Sequence, residues 1–473
     1  MRACLAYLRV GVVLALGLAA SACSTVDSLL APSGPQPGQV GSVKGFLGGV
    51  AADEPLAALA GRDTLSSGGN AMDAAASIIT TMWVTYPSRA GVAGGGACLV
   101  QFPSTKAPNS GIPEAVVFTP TLSGGPGNRP IALPMAPRGL FLMHSRYGSR
   151  PLETYLAAAE QMARFSVGTS RALADDISVV APGLAADPGA RAIFLPNGVP
   201  LAPGDSLRQP ELASTLSTMR TVGIGDLYQG SLARRMEEMS PRIGGPVTVA
   251  HLRTALPKLV APLIVRSGRD MAAFLPPPAD GGLAAAAAFK VLQANPNDIG
   301  GADARAQAVA AAWRAGGVTA DALLNGGGDA AYPLPSLPAS TSFVVLDREG
   351  NSVACALTMN NLFGTGRVIP DLGLLAAASA DFRPAPLLSA GIVWNENVHA
   401  FRAAAAGSGQ SGAPLAVALG LSNALRTFQP MATLVPDPGR ANVIACGRYL
   451  PNESASCGWA TDSRGYGLAA GGS

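Results

Sequence analysis

Apolar and polar positions are most sharply ordered between residues 340 and 366. Ser340, Thr341, Ser342 and Phe343 lead into Val344-Val345-Leu346. The polar stretch Asp347, Arg348, Glu349, Gly350 and Asn351 interrupts this run, and a second apolar run ends at Thr358-Met359-Asn360-Asn361. Two β-rich runs around a polar turn containing Gly predict a hairpin. A second hairpin is expected near Ile392. Elsewhere the pattern is mainly helical. Leu56 to Met82 reads as helix, broken at Gly68-Gly69-Asn70 and resumed as an Ala-rich helix from Ala71. Pro87 to Gly96 reads as a loop entering a short strand from Ala97 to Phe102. Helices are expected between Gly139 and Phe165, in a stretch closed by Leu173-Ala174-Asp175-Asp176, from Glu211 to Val222, from Asp226 to Met239, and from Gly281 to Gln293. Ala192 to Leu195 reads as a strand. No fixed repeat is visible. Strands and helices interleave without a βαβ rhythm, which favours a layered α+β fold over a Rossmann fold.

Composition narrows the function classes. The 473 residues are 48% hydrophobic and only 13% charged, with 33 Lys and Arg against 30 Asp and Glu. That balance argues against disorder and against a nucleic-acid partner. His144, His251 and His399 are far apart and show no metal-ligand spacing, so no metal and no cofactor is expected. They are read as surface or loop residues.

The amino-terminal segment reads as an export signal over residues 1–22. Arg2 and Arg9 precede an apolar run from Val10 to Ala20, and Ser21-Ala22 precede Cys23. The small residues before a Cys are similar to a bacterial lipoprotein box, which makes Cys23 a lipidation candidate. Ser24 then points to the outer membrane, facing the periplasm; plain secretion is the alternative. Residues 23–45, rich in Pro, Gly and Ser, read as a tether. In an exported chain Cys446 and Cys457 predict a disulfide, whereas Cys98 and Cys355, set in apolar runs, read as buried thiols.

The candidate chemistry sits at the head of the first hairpin. Ser340 follows a Pro-rich approach through Pro333, Pro335 and Pro338. A hydroxyl at a strand head after a cleavable loop suits an N-terminal nucleophile. Cleavage frees an α-amine that serves as base for its own side chain. Such an amine titrates near about pH 7.7–8.0, so it needs no histidine. An ordinary hairpin with a Ser/Thr-rich start is the competing reading. Gly94-Gly95-Gly96 lacks nucleotide-loop spacing and reads as tight backbone packing.

Short pieces in a shared order extend the picture from about Gly49 towards the C-terminus. They include Gly68-Gly69-Asn70-Ala71 with Asp73-Ala74-Ala75, Gly94-Gly95-Gly96 and Leu173-Ala174-Asp175-Asp176. They continue through Gly204-Asp205-Ser206-Leu207, Tyr228-Gln229-Gly230, and Pro276-Pro277-Pro278 with Gly281-Gly282. This order resembles the γ-glutamyltranspeptidase family of N-terminal-nucleophile hydrolases. The resemblance implies an αββα sandwich, two central sheets between helical layers. It also implies self-cleavage into fragments covering residues 46–339 and 340–473 that remain partners. The expected substrate is a small-molecule amide or a γ-glutamyl-like compound, as in glutathione metabolism, and the departures below point to an amide whose acyl end lacks the usual carboxylate contact. Ser340 falls at the family's nucleophile, with Thr341 as the neighbouring alternative. Thr358 matches the Thr that hydrogen-bonds to the nucleophile, Asn360 a substrate contact, and Asp381 the group holding the substrate α-amine. Thr119 stands where the family has its carboxylate-binding Arg. Leu388 replaces the first of two carboxylate-binding serines and leaves Ser389. Gln410-Ser411 replace the Gly-Gly oxyanion pair. A self-processing amidase or acyltransferase of the envelope is therefore expected, with a non-catalytic envelope relative as the alternative.

Overall fold

The computed structural model describes residues 45–103, 111–122, 127, 129–325, 339–380, 385–430 and 435–472. The export segment, Cys23, the Pro-rich approach to Ala339 and Asp381 lie outside them. In chain order the strands of the two main sheets begin with β1 (Gly48–Ala52), β2 (Gly95–Gln101), β3 (Glu114–Phe118), β4 (Lys258–Val260), β5 (Leu263–Ser267) and β6 (Asp270–Phe274). They continue with β7 (Ser340–Asp347), β8 (Ser352–Thr358), β9 (Ser389–Asn395), β10 (Phe401–Ser408), β11 (Arg440–Leu450), β12 (Cys457–Thr461) and β13 (Leu468–Gly472). The helices used below are α1 (Pro55–Ser66), α2 (Ala71–Thr85), α3 (Pro87–Ala90), α4 (Ala136–Tyr147), α5 (Glu153–Phe165), α6 (Arg171–Ala185), α7 (Asp280–Ala294), α8 (Ile299–Ala315) and α9 (Ala413–Thr427).

A seven-stranded sheet has the order β13-β1-β7-β8-β2-β3-β4, and a six-stranded sheet the order β12-β11-β10-β9-β6-β5. Both take strands from before and after Ser340, so the chain on its two sides is interwoven. Side-chain alternation assigns the layers. Phe343 and Val345 of β7 pack towards helix residues such as Ala57, Met72 and Ile79. Val344 and Leu346, one position along, meet Ile392, Ala404 and Ile444 of the second sheet. The far face of that sheet, with Val393, Ala405 and Val443, packs on Ala284, Ala288, Leu415 and Ala418. The result is an αββα sandwich, the fold class the sequence predicts. Alanine on the facing surfaces lets helix and sheet approach closely at native packing density.

Local chemistry explains several of the short sequence pieces. Asn70 and Asp73 form a capping box at the start of α2, satisfying otherwise unpaired N–H groups. The Ala71 N–H donates to Asp347 Oδ2 at 2.9 Å, which docks α2 on the turn between β7 and β8. Gly94-Gly95-Gly96 is a packing device. A Cβ on Gly95 would stand 2.2 Å from the Phe118 carbonyl oxygen, and one on Gly96 2.5 Å from that of Ala356.

Several local expectations are corrected. Ala192 to Leu195 is not a strand: it closes the helix Pro188–Phe194, whose start is capped by the Asp187 side chain. Leu173 to Asp176 opens α6 instead of closing a helix, because Ser170 supplies its cap. The loop from Pro87 contains α3, and β2 begins at Gly95. The segment from Asp226 to Met239 splits at Gly230, where Asp226 accepts the N–H of Ser231 and of Leu232. His144 is buried and pairs with Asp73 at 3.2 Å. Cys98 and Cys355 are not thiols but one disulfide, joined across β2 and β8. Cys446 and Cys457 form a second, across β11 and β12.

Candidate active site

Strand ends of both sheets meet at one end of the sandwich, among them those of β1, β2, β7, β8, β9, β10 and β11. Ser340 begins β7 and is directly opposite Thr358, the last residue of β8, which in turn faces Gly95. Alternation places Ser340 on the same face as Val344, between the sheets. Thr341 falls on the face of Phe343, towards the helices.

The strand head is pinned from several sides. Asp53, just beyond β1, accepts from the Ser342 N–H at 2.8 Å and from the Thr341 hydroxyl at 3.3 Å. Asn442 Nδ2 of the second sheet donates to Asp53 Oδ1 at 2.8 Å and to the Ser342 carbonyl at 3.0 Å. Arg89 Nη1 lies 3.4 Å from the Ser340 carbonyl oxygen. Its other nitrogens form a fork to Asp176 at 2.6 and 2.8 Å. Ser88 also donates to Asp176, at 2.7 Å. Arg89 was missed in the sequence because it sits in a Gly- and Pro-rich stretch. Its signal is the acidic pair Asp175-Asp176, far along the chain.

The Thr358 hydroxyl accepts the Asn360 N–H at 2.8 Å and donates to the Ala339 carbonyl at 2.8 Å. Its proton is therefore directed at the carbonyl of the Ala339–Ser340 peptide bond. The Ser340 hydroxyl is fully buried and has no hydrogen-bond partner among the described residues. Asn360 Oδ1 and Gln410 Oε1 are also buried without partners, although the Asn360 amide nitrogen donates to the Ala378 carbonyl at 2.8 Å. Buried polar atoms are normally paired, so such exceptions call for an explanation. Acceptors in this position suit the N–H groups of a ligand.

The remaining predicted positions are arranged differently. Gly409 and Gln410 have φ of 91° and 56°, so Gln410 keeps a left-handed backbone that suits glycine, at a cost of about 1 kcal/mol. The N–H groups of Gln410 and Ser411 meet no carbonyl among the described residues. Gln307 of α8 holds this turn by donating to the Ser411 carbonyl at 2.8 Å. The Ser389 hydroxyl is turned onto the Leu387 carbonyl at 3.0 Å. Leu388 is buried in the core between the sheets. Thr119 follows β3, partly buried.

A polar cavity of about 240 Å³ opens beside the strand head, lined among others by Asp53, Tyr86, Arg89, Asp176, Ser408 and Arg440. Burial pushes the Tyr86 phenol well above its usual range, so at neutral pH it offers a hydroxyl and not a base. Among the described residues no histidine bonds to the strand head, and no cluster of three or more His, Cys, Asp or Glu could hold a metal. The arrangement can polarise one peptide carbonyl and leave beside it one hydroxyl with no partner among the described residues.

Known proteins give this geometry a context. A family model described as Gamma-glutamyltranspeptidase matches residues 57–315. The glutathione hydrolase proenzyme of Bacillus subtilis (strain 168) is 27% identical over 396 residues, covering 69% of this chain and 67% of that protein. The acylase ACY 1 proenzyme of Pseudomonas sp. (strain SE83) is 28% identical over 452 residues, covering 81% of this chain and 78% of that protein. The crystal structure of cephalosporin acylase from Bacillus halodurans shares the fold with a TM-score of 0.73 at 18% identity, over 93% of this chain and 99% of that one.

Proposed function

Because this chain belongs to the gamma-glutamyltranspeptidase family, we propose that it is a self-processing amidase or acyltransferase with Ser340 as nucleophile. The observation that carries the reading is the Thr358 hydroxyl bond to the Ala339 carbonyl at 2.8 Å. In the precursor the Ser340 hydroxyl adds to that carbonyl while Thr358 stabilises the developing oxyanion. The carbon–nitrogen bond then breaks and the acyl group moves from nitrogen to oxygen. Water hydrolyses the ester, leaving a carboxylate on Ala339 and a free amine and hydroxyl on Ser340. The amine takes the hydroxyl proton during attack on a substrate amide. Gln410 and Ser411 offer backbone N–H groups to the substrate oxyanion, and Asn360 accepts a substrate N–H. Thr341, tied to Asp53, supports the strand and is not the nucleophile.

The substrate we assign is a small amide whose acyl end lacks an α-carboxylate. Thr119 provides no cation, Leu388 provides no hydroxyl, and the Ser389 hydroxyl is occupied by the Leu387 carbonyl. Rates for a γ-glutamyl anilide and for an acyl anilide without the α-carboxylate test it. The second should be turned over about tenfold faster or more; preference for the γ-glutamyl compound contradicts the assignment.

We further propose that the protein is exported and anchored through a lipid on Cys23. Cell fractionation of Cys23→Ala tests the anchor. Release from membranes is expected, and unchanged membrane partitioning rules the anchor out.

A further inference from the structure

We propose that the Cys98–Cys355 disulfide ties the chain ahead of Ser340 to the chain behind it, so that the processed protein remains one covalent unit. The inference rests on the proposed cleavage for its two pieces, but the bond stands on its own geometry. Cys98 lies in β2 and Cys355 in β8, 257 residues apart. They are direct partners in the register of two central strands, with a Cα–Cα separation of 4.1 Å, close to the spacing of an opposed antiparallel pair. Both are fully buried against the helical layer. Cys446 and Cys457 both follow Ser340, so their bond cannot join the two pieces.

The tie also bears on the site. Three residues beyond Cys355, Thr358 faces Gly95, which is three residues before Cys98. Fixing the pair therefore fixes the register in which Thr358 reaches the Ala339 carbonyl. Slippage by one residue would turn Thr358 to the helical face. Formation is an oxidation: two thiols lose two protons and two electrons. The acceptor is a disulfide oxidant of the export compartment, itself reduced to a dithiol by exchange. Burial then shields the bond from soluble thiols as long as the sandwich stays folded.

The test is a denaturing gel of the wild-type protein, thiols alkylated first, run with and without reductant. The expected result is one band without reductant and two with it. Two bands in both lanes overturn the tie and leave the cleavage standing. One band in both lanes removes the proposed cleavage, and mass spectrometry of an unreduced digest then decides the bond. Linked Cys98 and Cys355 peptides uphold the tie, whereas two alkylated thiols overturn it. Whatever fraction of the Cys98→Ser/Cys355→Ser variant is cut should run as two bands without reductant. A single band from the cut variant would contradict the assignment.

Discussion

The head of the β7–β8 hairpin and the rim made by Thr119, Leu388 and Ser389 are built on opposite principles. At the hairpin head, polar groups are directed at one bond: Thr358 donates to the Ala339 carbonyl, and the Ser340 hydroxyl has no partner among the described residues. At the rim no cation is present, Leu388 lies in the core and the Ser389 hydroxyl is turned onto the Leu387 carbonyl. The contrast separates breaking an amide from recognising its acyl end. Oxyanion donors and a nucleophile act on atoms common to all amides. Recognition depends on groups the substrate carries elsewhere, so it can change while the reaction stays.

The hardest blow to the hairpin head is Ser340→Ala. It should leave an uncut chain and lower turnover by about three orders of magnitude or more. Thr341→Ala, changed on the other face, should cut normally. If the two variants behave in reverse, the nucleophile is one position along. Thr358→Val keeps the shape and removes the hydroxyl. Self-cleavage, followed by gel over time, should slow about 10²- to 10³-fold. Normal cleavage would show that the bond to Ala339 is incidental.

The rim can be sharpened in the opposite direction. Thr119→Arg with Leu388→Ser restores the family's carboxylate-binding types. The ratio of γ-glutamyl to carboxylate-free turnover should rise about tenfold, with self-cleavage unaffected. An unchanged ratio would place acyl recognition elsewhere.

A smaller effect belongs to the framework behind the hairpin head. Glu54, fully buried at the start of α1, has its carboxyl pushed above its usual value chiefly by burial, partly offset by the Ala57 N–H. Below the ordinary carboxyl value both folded and unfolded chains are protonated, and folding loses nothing. As pH rises from there to the raised folded value, the unfolded chain ionises first and stability falls, then levels off. Glu54→Gln should therefore gain in melting temperature over wild type as pH rises from the ordinary carboxyl value. A constant difference would deny the shift.

Much of this was legible before the structure. The hairpin follows from strand alternation around a polar turn, and α2 from an Ala-rich run behind Asn70 and Asp73. Illegible features were those set by contacts between distant segments. The Cys98–Cys355 bond depends on the register of β2 against β8, which no local pattern fixes. Arg89 joins the site only because α6 brings Asp176 beside it. Ala192 to Leu195 looked strand-like by composition, but the Asp187 cap starts a helix there, so tertiary context overrode propensity. The inward turn of Ser389 is also invisible from residue type alone.

The central claim is that the chain cuts itself between Ala339 and Ser340. Intact mass and Edman sequencing of the purified, reduced wild-type protein test it most directly. The account predicts two fragments, the smaller beginning with Ser340. A folded, stable chain that stays uncut would contradict it and favour a non-catalytic relative that kept the fold.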